Sequence, residues 1–417
     1  MSRVIYHYNN NNEKEHIHVT PEEKANCKKC CCKKLPTLKR KSEYKKANLL
    51  KPVYTSGDGT DFSLGHPDYE YKYGCLDFNN DCKAWMQPDG SWGYSNSGLI
   101  CTNESGKGES LVVDIGCNDG VLLERFLPRG IRTLGVDPAE NIAKLSKRRG
   151  LEVLVDFFGA RCANGILEKY GPAQALTMTN AFPHIPDVDD LLSGVRSLIA
   201  PEGVLAIQAH YVVDMFEQAA FDTIYHEHVS YWSLSVMKGL LSRFGLEPVR
   251  VERLPIHHGQ LRVYIQRVGV GTVENNVNEL LELEARLGIA EGRPLIEFAD
   301  AAQRVRRDVR KFLEVARSEG KSVAAYGAPA KGSTLINYLG LGRRDLAWIA
   351  DISELKQGRY MPGSHIPIVA PSQILADMPD YLLLLAWNFA EEILEQNKRY
   401  TDSGGRFVLP LPTVEIL

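Results

Sequence analysis

The stretch LVVDIGCNDG at residues 111–120 decides the fold, because five strand-forming residues run there into a Gly-x-Asn-x-Gly bend. Apolar residues then recur at helical spacing from Val121 to Phe126. Glycine has no side chain, so a bend between a strand and a helix brings bare backbone close to a ligand. This order of elements predicts a site for a nucleotide-like cofactor. The residues predicted to meet it are Gly116, Asn118, Asp119 and Gly120.

Strands and helices alternate after this bend. Helices are predicted at residues 121–127 and 139–149. Strands are predicted at residues 111–115, 133–136, near 154, 175–179, 203–208 and 262–266. Such alternation is typical of a parallel sheet with helices on both faces. The sequence therefore predicts an α/β fold with a central Rossmann-like domain over residues 109–270.

A second strand, small-residue turn and helix start appear at residues 322–332, with the sequence SVAAYGAPAKG. Further strands are predicted at residues 346–350 and 381–386. Between the two α/β units, apolar residues recur at helical spacing and indicate two helices. We predict a helical connector over residues 271–320 and a C-terminal Rossmann-like domain over residues 321–417. Two turns of this type indicate two ligand sites.

The first 108 residues differ in composition from the remainder. They hold 14 lysines and 2 arginines against 9 and 24 in the remainder, and seven of the nine cysteines lie before residue 102. In a reducing compartment a CxxC pair binds zinc more often than it forms a disulfide. Residues 1–108 are therefore treated as a separate, divergent region, either a zinc site or a basic arm with incidental thiols. The candidate zinc ligands are Cys27, Cys30, Cys75 and Cys82.

The composition of the whole chain limits the classes of partner. Its 417 residues are 44% hydrophobic, which suits two or three domains with real cores. No apolar run reaches the roughly 18 residues that cross a bilayer, and no signal pattern opens the chain, so we expect a cytoplasmic protein without a membrane partner. The net charge of -3 gives no general attraction to nucleic acid. The expected partners are small molecules.

An acid after the second predicted strand helps to choose the cofactor. Asp137 lies where folds of this kind hold the hydroxyls of a ribose. A dinucleotide would want a third glycine and a helix start facing its pyrophosphate, whereas S-adenosylmethionine carries no phosphate. The two-glycine bend with several acids favours S-adenosylmethionine, and an ordinary strand-to-helix bend is the alternative. Asp156 and Asn180, which follow the third and fourth predicted strands, are further candidate contacts.

A phenol, two imidazoles and a carboxylate follow one another at residues 225–228. Methyl transfer to carbon needs a carbanion equivalent, such as the enolate formed by removing a proton next to a ketone. A neutral histidine can accept that proton, a carboxylate can orient it, and a tyrosine can donate to the oxyanion. We assign these roles to His228, Glu227 and Tyr225. A metal held by His226 and His228, or a purely structural loop, are the alternatives.

Candidate substrate contacts lie farther along the chain. In HHGQLR, residues 257–262, Arg262 could pair with a phosphate and His258 could bond sugar hydroxyls. Lys331 and the backbone of the second turn could meet a diphosphate. Asn388 follows a predicted strand at the ligand edge of the second sheet.

Six ordered motifs resemble the S-adenosylmethionine-dependent C-methyltransferases that act on nucleotide-linked keto-deoxysugars. The resemblance covers the chain from about residue 110 to its end. It implies a small N-terminal zinc domain, a central methyltransferase domain and a C-terminal Rossmann-like domain that helps to hold the nucleotide-sugar. It places the base on His228, and it extends the candidate substrate contacts to Tyr326. The motifs are IGCNDG at 115–120, GVDPAENI at 135–142, FDTIYHEHVSYWS at 221–233, HGQLR at 258–262, YGAPAKG at 326–332 and LLAWNF at 384–389.

The sequence thus predicts an enzyme that removes a proton beside a sugar ketone and methylates the resulting carbon. Two rival functions remain at this point. An NAD-linked oxidoreductase could use the same first turn, although the third glycine is absent. A non-catalytic homologue could retain the ligand sites without the chemistry.

Overall fold

The computed structural model describes the backbone of four short N-terminal strands, and residues 110–256 and 259–417 in full. The N-terminal strands pair as two antiparallel hairpins. The predicted zinc ligands Cys27, Cys30, Cys75 and Cys82 and the predicted contact His258 lie outside the described residues. The four strands are β1 (Ile5–Tyr8), β2 (Lys14–Ile17), β3 (Lys83–Met86) and β4 (Trp92–Ser95).

The central part of the chain forms a seven-stranded sheet. Its strand order is β10-β11-β9-β8-β5-β6-β7, in which β9, β8, β5, β6 and β7 are parallel and β10 and β11 are antiparallel. The strands are β5 (Leu111–Ile115), β6 (Arg132–Val136), β7 (Val153–Leu154), β8 (Ala173–Thr179), β9 (Ile199–His210), β10 (Leu246–Leu254) and β11 (Gln260–Arg267).

Helices cover this sheet because their apolar stripes are buried against it. β5 is buried at all five positions, as expected of a parallel strand with helices on both faces. The helices are α1 (Val121–Glu124), α2 (Glu140–Arg148), α3 (Ala160–Tyr170), α4 (Val188–Leu198), α5 (Val212–Glu217) and α6 (Leu234–Ser242).

The C-terminal part forms a six-stranded sheet in the order β14-β13-β12-β15-β16-β17, parallel except for β17. Two helices precede it, α7 (Asn275–Leu287) and α8 (Pro294–Ser318). Its strands are β12 (Val323–Tyr326), β13 (Ile349–Ala350), β14 (Ile368–Val369), β15 (Tyr381–Leu384), β16 (Arg406–Leu409) and β17 (Glu415–Ile416). Its helices are α9 (Ala330–Leu339), α10 (Gln373–Asp377), α11 (Ala390–Gln396) and α12 (Lys398–Asp402).

The apolar stripe of α8 belongs to the core of the C-terminal sheet, and so do Met215, Ala220 and Phe221 from the central part. The segment that follows α5 is therefore packed into the C-terminal core. In the described part of the chain no helix is long and apolar enough to span a membrane.

The predicted α/β fold with two Rossmann-like sheets is confirmed, but several element boundaries differ from those predicted, and two of the differences have a clear local cause. The helix predicted at 121–127 ends at Glu124, and a 3-10 turn follows at Leu127–Arg129. Pro128 lacks the N–H that would continue the helical hydrogen bonds. The strand predicted at 346–350 is only Ile349–Ala350. A turn in which Leu346 N–H donates to the Gly342 carbonyl delays its start.

Candidate active site

The first glycine bend lies at the carboxyl end of β5. Gly116 has φ 75°, and its N–H donates to the Val136 carbonyl at 2.8 Å. A Cβ at this position would lie 2.7 Å from the Cβ of Ala181, which is closer than real contacts allow. Asn118 and Gly120 also have positive φ, at 51° and 83°. The bend is therefore restricted to glycine at residue 116 both by backbone conformation and by space.

Asp137, at the end of the neighbouring β6, holds this bend in place. It is 8% exposed, and its two oxygens accept the N–H groups of Asn118 and Ala139, each at 2.9 Å. Each carboxylate oxygen has a second lone pair, so Asp137 can still accept from the hydroxyls of a ribose. These acceptor oxygens fit the ribose hydroxyls of S-adenosylmethionine.

The other acids near the bend differ in their surroundings. Asp114 is buried, its carboxylate accepts from Thr177 Oγ1 at 2.6 Å, and burial raises its pKa to about 7. Asp119 forms an ion pair with Arg149 at 3.0 Å, and Asp156 forms one with Arg161 at 2.7 Å. Asp119 and Asp156 are thus each paired with an arginine, whereas the hydrogen bonds that hold Asp137 come from backbone N–H groups.

Asn180 follows β8 with φ 57°, and a buried chain of polar groups fixes its side chain. Gln260 donates to Asn180 Oδ1 at 2.7 Å, and Gln208 donates in turn to Gln260. Arg262 donates to Gln208 Oε1 at 2.7 Å and to Glu252 at 3.1 Å. This series of hydrogen bonds connects side chains of β10, β11 and β9 to Asn180, which lies beside the glycine bend.

Arg262 therefore has an internal role. It is 1% exposed, and its guanidinium is bonded to side chains of the two neighbouring strands. The contact with a substrate phosphate that the sequence predicts finds no support in this geometry.

His228 has a defined tautomer. Its Nδ1 lies 2.9 Å from the Thr223 carbonyl, which can only accept, so Nδ1 carries the proton. Its Nε2 lies 3.0 Å from the Tyr225 hydroxyl and, in the neutral ring, is the acceptor. A neutral imidazole with its basic nitrogen held next to a tyrosine hydroxyl can remove a proton from a bound substrate.

The surroundings of His228 keep it neutral. It is 8% exposed, and the rings of His184 and His210 lie with their centroids 4.9 Å from its own. Burial lowers the pKa of His228 below its ordinary value of 6.5, and the proximity of His184 lowers it further. Burial also raises the pKa of Tyr225. The pair therefore holds an unprotonated base and a protonated donor at neutral pH.

Glu227 and His226 face outward. Their side chains are 55% and 87% exposed, and Glu227 Oε1 lies 3.8 Å from His226 Nε2. The structure brings the backbone carbonyl of Thr223, and not the carboxylate of Glu227, to His228 Nδ1. Glu227 raises the pKa of His228 through its charge alone. Among the described residues, no group of three histidines, cysteines or acids is arranged to hold a metal ion.

The second glycine turn repeats the plan of the first. Gly327 has φ 87°, its N–H donates to the Ala350 carbonyl at 2.7 Å, and a Cβ there would lie 2.7 Å from the Cβ of Ala386. Asp351, at the end of β13, accepts from the N–H groups of Ala328 and Ser353 at 2.6 and 2.8 Å. Asp351 is the counterpart of Asp137.

Two lysines lie near the second turn, and Lys356 forms an ion pair with Asp351 at 3.5 Å. Lys331 is half-buried with its ammonium 4.9 Å from the centre of the Trp387 ring, and Lys356 donates to the Ala328 carbonyl at 3.0 Å. Asn388 is half-buried in the 3-10 turn Trp387–Phe389. Tyr326, another predicted contact, is instead packed in the core of the sheet with its ring against Phe407.

The sequence did not predict a role for His184, His210 or Asp222, or the pairing of Trp387 with Asp222. His184 and His210 flank His228, while Asp222 and Trp387 form a buried hydrogen bond. The positions of the two histidines were accessible from sequence, since His184 follows β8 and His210 ends β9. Parallel neighbouring strands end at the same edge of a sheet.

Comparison with known proteins agrees with this geometry. Residues 102–251 match a family described as a methyltransferase domain, and residues 255–412 match the C-methyltransferase C-terminal domain. C-methyltransferase NovU of Streptomyces niveus is 39% identical over 308 residues, which are 74% of this chain and 73% of that protein.

More distant similarities cover about a third of the chain. Ubiquinone biosynthesis O-methyltransferase of Chromobacterium violaceum is 24% identical over 32% of this chain and 63% of its own length. The solved structure of an S-adenosylmethionine-dependent methyltransferase from Archaeoglobus fulgidus is 21% identical with a TM-score of 0.31, covering 35% of this chain and 65% of that one. On the strength of the long match to NovU, the chain belongs to the C-methyltransferases, which transfer a methyl group from S-adenosylmethionine to carbon.

Proposed function

We propose that this C-methyltransferase acts on a keto-deoxysugar linked to a nucleoside diphosphate. The proposal rests on the two glycine turns, which share the same backbone geometry but differ in their charged side chains. Asp137 lies at the first turn, and Lys331 and Lys356 lie at the second. Acidic side chains suit a sulfonium cofactor, and lysine side chains suit the phosphates of a nucleotide. The catalytic candidates His228 and Tyr225 follow a segment that is packed into the C-terminal core.

The proposed reaction begins with proton removal. His228 Nε2 takes the proton from the carbon next to the sugar ketone, and the electrons of that C–H bond form the enolate. The Tyr225 hydroxyl, which donates to Nε2 in this structure, turns to the enolate oxygen and steadies its negative charge. This exchange frees the lone pair of Nε2 at the moment when the base needs it.

Methyl transfer completes the reaction. S-adenosylmethionine, when bound, would supply the electrophilic methyl group: the C–C bond would form as the S–CH₃ bond breaks, and S-adenosylhomocysteine would leave with the electron pair of that bond. Residues Gly116, Asn118, Gly120 and Asp137 would hold it, with Asn180 fixed at the rim by the bonded chain that starts at Arg262. The proton on His228 then passes to solvent. The charge of Glu227 stabilises the protonated imidazole.

The proposed test uses purified full-length protein with S-adenosylmethionine carrying a labelled methyl group. A panel of keto-deoxysugars on different nucleoside diphosphates is compared with the same sugars lacking the nucleotide, and NAD serves as a cofactor control. The proposal predicts a labelled C–CH₃ group in the nucleotide-linked sugars alone. Methylation of the free sugars equally well would refute the nucleotide requirement, and methyl on oxygen would refute the enolate mechanism.

A further inference from the structure

The turn that precedes the catalytic pair is anchored in the C-terminal domain. It is the 3-10 turn Phe221–Thr223, in which the Phe221 ring lies 4.7 Å from the ring of Tyr338, centroid to centroid. Asp222 is fully buried, and the indole N–H of Trp387 donates to its Oδ2 at 2.6 Å. Trp387 stands just beyond the end of β15, beside the second glycine turn.

Thr223, the residue after Asp222, forms the hydrogen bond that orients the proposed base His228. The Thr223 carbonyl accepts from His228 Nδ1 at 2.9 Å and from the Tyr231 hydroxyl at 3.0 Å. The peptide unit between Asp222 and Thr223 is rigid and planar, so a shift of Asp222 is passed to the Cα of Thr223, which carries this carbonyl. Within the same turn, the Ile224 N–H on the following peptide donates to the Phe221 carbonyl at 3.0 Å, so that peptide moves with the turn. The orientation of His228 thus depends on where Asp222 is held.

Burial of the Asp222 carboxyl group disfavours its charged form. Burial raises its pKa to about 6, while the charge of Lys331 and the bond from Trp387 oppose that rise. Burial also lowers the pKa of Lys331 to about 8, and its ammonium lies 4.9 Å from the centre of the Trp387 ring. A buried carboxylate is sensitive to the loss of its hydrogen-bond donor. Removing the indole N–H should therefore displace the turn.

We infer that Asp222 is a positioning residue, whose hydrogen bond from Trp387 sets the Thr223 carbonyl and through it the imidazole of His228. The inference rests on the proposed role of His228 as the base. It makes the C-terminal domain part of the catalytic apparatus, because Trp387 belongs to the same edge of the sheet as the proposed nucleotide site.

The test is an NMR titration of the full-length protein labelled in its histidines, with the His228 signal identified by its loss in His228→Asn. The bond to Thr223 raises the pKa of His228. Trp387→Phe keeps an aromatic ring but removes the donor, so the His228 titration should move to lower pH. His184, His210, Tyr225, Tyr231 and Glu227, which also act on or contact this imidazole, are unchanged in the variant.

Trp348→Phe is the matched control. The Trp348 indole donates to Asp377 at 2.8 Å in the same domain, and the residue is similarly buried. It should leave the His228 titration in place even if it lowers thermal stability as much as Trp387→Phe does. Asp222→Asn keeps an oxygen acceptor for the indole, so its shift should be smaller than that of Asp222→Ala.

Turnover provides the second readout. Trp387→Phe and Asp222→Ala should each lower kcat about 10- to 100-fold, and the double variant should be little worse than either, because both remove one bond. An unchanged His228 titration in Trp387→Phe, or an equal shift in Trp348→Phe, would overturn the inference. A fully active His228→Asn enzyme would instead sink the proposed function, whatever the titration shows.

Discussion

Replacing His228 with asparagine separates proton removal from methyl transfer. The amide can still donate to the Thr223 carbonyl in place of Nδ1, so the loop keeps its bond, but no basic nitrogen remains. General bases contribute about 10²- to 10⁴-fold, equivalent to roughly 3–5.5 kcal/mol of activation free energy. We expect kcat to fall by this factor while the affinity for S-adenosylmethionine is kept.

The assay for the first step is deuterium exchange into the carbon next to the ketone. It is run in D₂O with S-adenosylhomocysteine in place of the methyl donor, so that the enolate forms and is reprotonated without being methylated. The matched control is His226→Asn, two residues away with a side chain that is 87% exposed. Exchange at the normal rate in His228→Asn, or an equal loss in both variants, would refute the assignment of the base.

Four further outcomes are expected. Burial lowers the pKa of His228 below its ordinary value of 6.5, so kcat should fall on the acid side only below pH 6.5, as a pH–rate profile would show. Tyr225→Phe removes the oxyanion donor and should lower kcat about 10²- to 10³-fold with unchanged cofactor affinity by calorimetry. Gly327→Ala would be strained, because residue 327 has φ 87° and its new Cβ would crowd Ala386. The variant should bind a nucleoside diphosphate more weakly and S-adenosylhomocysteine as well as before. Equal loss of affinity for both ligands would contradict separate sites. Glu284→Ala removes a buried carboxylate that accepts from the Tyr211 hydroxyl and two backbone N–H groups at the start of α6, and should cost about 3 kcal/mol in denaturant unfolding, whereas Glu284→Gln should cost less.

The features that the sequence predicted well are local ones. A strand, a glycine bend and an acid after the next strand are consecutive in the chain, so periodicity and composition suffice to place both turns. The same holds for Tyr225 and His228, which the loop brings to 3.0 Å across three residues. In such cases backbone geometry leaves few alternatives.

The features that the sequence missed depend on strand pairing. Arg262 was expected to meet a phosphate because a lone cation follows a bend. The antiparallel register places it opposite Gln208 on one side and Glu252 on the other, and these partners hold its guanidinium. Cross-strand neighbours 54 and 10 residues away leave no local pattern. Trp387 and Asp222, 165 residues apart, are a stronger case of the same limit.

The two glycine turns share one backbone geometry, so something other than that geometry must determine which ligand each turn binds. At both turns a glycine packs against an alanine and an aspartate accepts two backbone N–H groups at nearly equal distances. The shape of the turn therefore cannot select between a cofactor and a nucleotide. The added side chains can, because Lys356 lies 3.5 Å from Asp351, whereas among the described residues Asp137 accepts from backbone N–H groups alone. On this argument, charge favours the cationic cofactor at the first turn and, under the proposed function, an anionic nucleotide at the second.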